Sequence, residues 1–154
     1  NEINLLKNLS SFCLIITGLV LLLSIRISRS NSTFNLSNSF LIGLSQAFAI
    51  IPGISRSGMT ITTGMMLGIP PKEAARFSFL LAIPAISGAG ILTAIEPISE
   101  STQFRFEVLL SSFLTSFLVG LVCLKWLLKI LNNGKFHFFG FYCIIFGIIT
   151  IIFV

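Results

Sequence analysis

Ile51-Pro52-Gly53-Ile54-Ser55-Arg56-Ser57-Gly58-Met59-Thr60 sets one cation, three hydroxyls, two glycines and a helix-stopping proline between apolar flanks. The flanks are short. Phe40 to Ile51 is roughly a dozen apolar residues and Met59 to Ile69 about as many, ended by Pro70-Pro71. A bilayer crossing takes about 20 residues, so neither piece spans alone. Together they read as a re-entrant hairpin over 40–69, with the polar turn 52–60 at its tip. An arginine among membrane-embedded residues must find an anion or a water-filled cavity, because leaving it in hydrocarbon costs at least about 2.5 kcal/mol.

The rest of the chain supports a membrane setting. Its composition is 55% hydrophobic and 10% charged, with mean hydropathy +1.00, which a water-soluble domain of this size does not carry. The expected fold is all-α and polytopic, with four full spans and one re-entrant hairpin in a single membrane domain over 1–154. The spans read as Leu9 to Ile25, Ala74 to Ile95 with Pro84 inside, Val108 to Ile130, and Phe136 to Val154. The net charge is +5, but the cations are scattered through short loops, which is the positive-inside pattern and not a nucleic-acid face. If the hairpin enters and leaves on one side, Arg26/Arg29, Lys72/Arg76 and Lys125/Lys129/Lys135 share one face, assigned to the cytoplasm, and both chain ends lie outside. The glutamate-bearing loop from Glu96 to Phe106 falls opposite. Cys13, Cys123 and Cys143 are odd in number, lack metal-type spacing and read as small core hydrophobes.

The turn carries the chemistry of a phosphate cradle. Gly53 and Gly58 allow tight turning and close backbone approach, Ser55, Ser57 and Thr60 supply hydroxyls, and Arg56 supplies a planar fork for phosphate oxygens. A half-helix beginning at Ser57 or Gly58 would aim its free N–H groups and dipole into the turn. The plain alternative is a Gly/Ser linker in which Arg56 snorkels or meets a carbonyl. A second Ser28-Arg29-Ser30 lacks the flanking Pro and Gly and reads as a solvated boundary. Gly64-x-x-x-Gly68 is a candidate for a homodimer contact, competing with packing inside the chain.

Three blocks, Gly43-Leu44-Ser45-Gln46, Ala49 through Ile61, and Ala74-Ala75-Arg76-Phe77-Ser78-Phe79-Leu80-Leu81-Ala82-Ile83-Pro84-Ala85, resemble the C-terminal half of the bacitracin-resistance undecaprenyl-diphosphate phosphatases. Lipid phosphatases of the phosphatidic-acid type fit less well, since Thr62 and Met66 stand where a histidine and an acid would follow Ser-Arg. The resemblance implies one half of an inverted-repeat fold in the bacterial inner membrane, with a cavity open to the periplasm. It also implies hydrolysis of undecaprenyl diphosphate to undecaprenyl phosphate and phosphate, which recycles the carrier for envelope polymers.

By that resemblance Arg56, Ser55 and Thr60 are catalytic, with Arg56 binding the diphosphate and Ser55 and Thr60 hydrogen-bonding or positioning it. Gly53, Ser57, Gly58 and Gln46 line the substrate. The family's first repeat carries a glutamate-rich motif and a Ser/Thr-Gly-His motif that supply acidic, metal-linked and acid/base groups. Nothing here matches them: Gln46 stands where the other repeat has an acid, and His137 follows Lys135-Phe136 at a helix boundary. A divalent cation (Mg2+ or Ca2+) is implied, with ligands outside this chain, as is a missing N-terminal half or partner chain. The chain begins at Asn1 and is expected to be part of a longer protein. The competing readings are a transporter or flippase for a phosphorylated lipid and a noncatalytic paralogue.

Overall fold

The computed structural model describes residues 2–23, 32–95 and 105–153, with side chains placed over 9–23, 32–95 and 105–152. Six helices and no strands are found among them: α1 (Glu2–Leu23), α2 (Leu36–Phe48), α3 (Arg56–Met66), α4 (Pro71–Ile95), α5 (Phe106–Asn132) and α6 (His137–Phe153). The boundary arginines Arg26 and Arg29, the Ser28-to-Ser30 tripeptide and the acidic loop residues Glu96 and Glu100 lie outside the described residues. Two helices, α4 and α5, are long and apolar enough to cross a membrane; Leu9–Leu23 and His137–Ile152 are shorter apolar stretches.

Capping chemistry sets the helix ends, and it moves several of them from the positions that hydropathy suggests. Asn35 accepts a hydrogen bond from the Asn38 N–H at 2.7 Å, so α2 begins inside the polar stretch before Phe40. The Gly68 φ of 83°, with Gly68 N–H on the Met65 carbonyl and Ile69 N–H on that of Gly64, makes a Schellman close after Met66. The two prolines therefore do not stop α3. Pro70 offers its carbonyl to Ala74 N–H at 2.9 Å, and Pro71 opens α4, where a missing N–H costs nothing. The same close recurs at Asn133-Gly134-Lys135, with Gly134 at φ 68° and the Lys135 N–H on the Ile130 carbonyl.

α1 and α6 pack antiparallel through glycines. A Cβ on Gly18 would lie 2.7 Å from the Gly140 carbonyl, one on Gly140 2.8 Å from the Gly18 carbonyl, and one on Gly147 2.6 Å from Ile15 Cγ1. Helices at that separation gain contact along their whole length. A buried cluster gathers Leu21 of α1, Ile42 of α2, Ile61 and Met65 of α3, Ala74 and Ala75 of α4, Leu131 of α5 and Phe136 before α6. It brings the start of α4, bearing Lys72 and Arg76, together with the Lys129–Lys135 end of α5. Gly64 also packs within the chain: a Cβ there would sit 2.9 Å from the Ala74 Cβ.

Outside this cluster the surface is apolar. Ile83, Ile86, Ile91 and Leu92 of α4 and Phe113, Phe117, Leu118 and Val122 of α5 are all exposed, far more than a water-soluble monomer presents. Cys13 is buried as expected, but Cys123 is exposed on this face of α5, because α5 touches the remaining helices mainly at its end.

Candidate functional site: the turn between α2 and α3

Backbone geometry builds the turn from its sequence. Ile54 N–H donates to the Ile51 carbonyl at 3.1 Å, with Pro52 at the second position and Gly53 at φ 94° at the third, the residue pattern of a type II turn. Glycine is required twice over, since a Cβ on Gly53 would overlap the Ser10 carbonyl of α1. Ser55 then leaves the turn extended, at φ −74° and ψ 112°, and caps α3. Its Oγ accepts from Gly58 N–H at 3.1 Å. This cap starts α3 at Arg56, one or two residues earlier than expected from Ser57 or Gly58.

α1 clamps the turn. Thr17, fully buried, accepts from Ser55 N–H at 3.1 Å and donates from Oγ1 to the Gly53 carbonyl at 3.4 Å. With the amides of Ser55 and Gly58 engaged, those of Arg56 and Ser57 have no acceptor among the described residues. They are the orphan donors of a helix N-terminus. The side chains of Arg56 and Ser57 are exposed. The described ion pairs are Arg76 with Glu73 and Arg105 with Glu107, so Arg56 has no counter-ion there. α3 also has no acid in its first turn. A cation at the positive end of a helix dipole is unfavourable by about 0.3–1 kcal/mol, and an oxyanion near the same N-terminus would offset it.

Below the tip the hydroxyls turn inward. Thr60, fully buried, donates from Oγ1 to the Arg56 carbonyl at 3.0 Å and lies 2.6 Å from Ser78 Oγ of α4. Gly58 is buried against Leu21, whose Cδ1 would sit 2.9 Å from an added Cβ. Gln46 lies in the last turn of α2, and its Oε1 is buried with no hydrogen-bond partner, as is Oγ1 of Thr62. Buried polar atoms are nearly always paired, so these two are exceptions within the chain. His137 opens α6, stacked on Phe138 at 4.7 Å.

No group of three or more His, Cys, Asp or Glu that could hold a metal is formed among the described residues. Gln46 Oε1 is a single neutral oxygen, whereas a hard divalent cation takes six or more oxygens, several of them carboxylate. These residues do not fit such an ion by themselves.

Sequence reading missed Thr17, Ser10 and Ser78. Ser10 meets the turn through its backbone carbonyl, which leaves no side-chain signal, and Thr17 is a single hydroxyl in the apolar run from Phe12 to Leu23.

What emerges is a helical chain with a lipid-compatible surface and, at a capped, clamped helix N-terminus, an arginine without an ion pair among the described residues. Comparison with known proteins matches residues 4–149 to the family described as bacitracin resistance protein BacA. The chain belongs to that family. It is similar to the undecaprenyl-diphosphatase of Christiangramia forsetii, 41% identical over 92% of this chain and 54% of the relative. It is likewise similar to that of Rhodopirellula baltica, 41% identical over 94% of this chain and 58% of the relative. A third, from Desulfosudis oleivorans, is 46% identical over 78% of this chain and 44% of its own length. The chain spans about half the length of the curated relatives it matches.

Proposed function

We propose that this chain is the diphosphate-binding half of an undecaprenyl-diphosphate phosphatase. The observation that carries the reading is Arg56: exposed, without a counter-ion among the described residues, and set at the N-terminus of α3 beside two free backbone donors. In this reading the guanidinium and the N–H groups of Arg56 and Ser57 clamp the diphosphate, and the Ser57 hydroxyl adds a donor. Gly53 lets the backbone reach the ligand. Ser55 and Thr60 hold the clamp in shape, Ser55 by capping α3 and Thr60 by tying it to Ser78. Charge that develops on the phosphoryl oxygens then meets donors already in place, the main protein contribution to phosphoryl transfer.

The hairpin is read as re-entrant. α2 and α3 are about 20 and 16 Å long at 1.5 Å per residue, too short for a core of about 30 Å. Their outer ends lie together, with Ser32 N–H on the Gly68 carbonyl at 3.1 Å and Phe34 on Phe77 at 4.9 Å. The tip meets the middle of α1, at Ser10 and Thr17. The lysine-rich end is assigned to the cytoplasm of a bacterial inner membrane, with α1, α4, α5 and α6 as spans and the site opening outward. A second half or partner chain would bring the acid/base groups and any Mg2+ or Ca2+ ligands.

The test is phosphate release from undecaprenyl diphosphate by the chain joined to the N-terminal half of a full-length relative. Release that falls at least about 100-fold with Arg56→Ala supports the half-site. Undiminished release in that variant would remove Arg56 from the mechanism. Arg56-dependent movement of the lipid across vesicles without release would point instead to a flippase.

A further inference from the structure

Between the end of α5 and the start of α6 lies a groove of about 440 Å³ lined by Trp126, Ile130, Lys135, Phe138, Phe139 and Tyr142. It opens at the opposite end of α5 from Arg105. Its walls are hydrocarbon and aromatic ring, with Trp126 edge-on to Phe139 at 6.4 Å. Lys135, an exposed residue, is the one charged residue on its lining and presents its carbon stem there, and Lys129 follows Trp126 by three residues, on the same face of α5. Neither lysine is in an ion pair among the described residues. Lys135 is presented by the Schellman close of α5, which fixes its backbone at the groove's mouth.

We infer that this groove binds an anionic phospholipid, with an acyl chain along Ile130, Phe138 and Phe139 and the phosphate on Lys135 and Lys129. An apolar slot alone would accept any lipid. The exposed Lys135 and Lys129, in no ion pair among the described residues and close in sequence to an indole and a phenol suited to the headgroup level, select negative charge. The site is separate from the α2–α3 turn and independent of the function proposed for it.

Trp126 is the one tryptophan of the chain, so the groove carries its own reporter. The chain is placed in phosphatidylcholine nanodiscs containing increasing fractions of dibrominated phosphatidylglycerol or dibrominated phosphatidylcholine, and Trp126 fluorescence is followed. Phosphatidylglycerol is expected to half-quench at a mole fraction roughly 30-fold lower, the selectivity of two lysines near a headgroup. The double variant Lys129→Gln/Lys135→Gln should bring the two lipids within about twofold, while Lys72→Gln, which removes a cation outside the groove, should leave the preference intact. Equal quenching by both lipids, quenching by neither because protein covers the groove, or a preference that survives the double substitution would each overturn the assignment.

Discussion

At the scale of single residues, the turn shows how little of a site's geometry is set by the side chains that will touch a ligand. Arg56 is positioned by its neighbours: Pro52 and Gly53 make the bend, Ser55 caps, and Thr17 fixes both the Gly53 carbonyl and the Ser55 N–H. The composition of 52–60 made the turn and its hydroxyls, the basis of the proposed anion binding, legible from sequence. Thr17 stayed hidden because it is one hydroxyl within an apolar run and its partner lies 38 residues away. Thr60 was legible as a hydroxyl near the site, but not as one committed to Ser78. Gly53→Ala tests the backbone requirement. It forces a Cβ into a positive-φ position and toward the Ser10 carbonyl, so stability should fall by about 1–3 kcal/mol, read as a lowered melting temperature in detergent. An unchanged melting temperature would mean that the turn and α1 are not in close contact.

Among the helices, the hydrophobic pattern located the elements and the caps relocated their ends. Asn35 extends α2 backward into a polar stretch, and the glycine closes at 68 and 134 end α3 and α5 independently of the prolines or the apolar count. Sequence reading sees such caps poorly, because an Asn or Gly between two apolar runs fits a loop as well as a helix end. α3 and α4 are joined at depth by the 2.6 Å contact between Thr60 and Ser78. Thr60→Val or Ser78→Ala alone strands a buried hydroxyl or leaves one unfilled and should each cost about 1–3 kcal/mol. The double variant should cost less than the sum by at least about 0.5 kcal/mol, the mark of direct coupling. Strict additivity in thermal or denaturant unfolding would show that the two hydroxyls do not act as a pair.

As a whole, the described helices form two packed units, α1 on the sequence-distant α6 and the α2–α3 hairpin on the α4 that follows it, sharing one buried cluster at the lysine-rich end. The all-helical fold and the apolar exterior followed from composition alone. The pairing of the first helix with the last did not: it depends on Gly18, Gly140 and Gly147 meeting across the chain, and three scattered glycines carry no local signal of that. The wide exposed face of α4 and α5 and the coverage of only 54–58% of two relatives agree with a site completed by residues outside this chain. If so, this chain should bind the diphosphate without being competent to cleave it. The most direct measurement is a 31P titration of a short-chain polyprenyl diphosphate, with the corresponding monophosphate beside it, against the detergent-solubilised chain and its Arg56→Ala variant. Saturable binding that favours the diphosphate and weakens at least about tenfold in Arg56→Ala, the loss of a charged hydrogen-bond donor, is the expected result. Equal binding by the two chains, or no preference between the two phosphates, would contradict a diphosphate clamp at the head of α3.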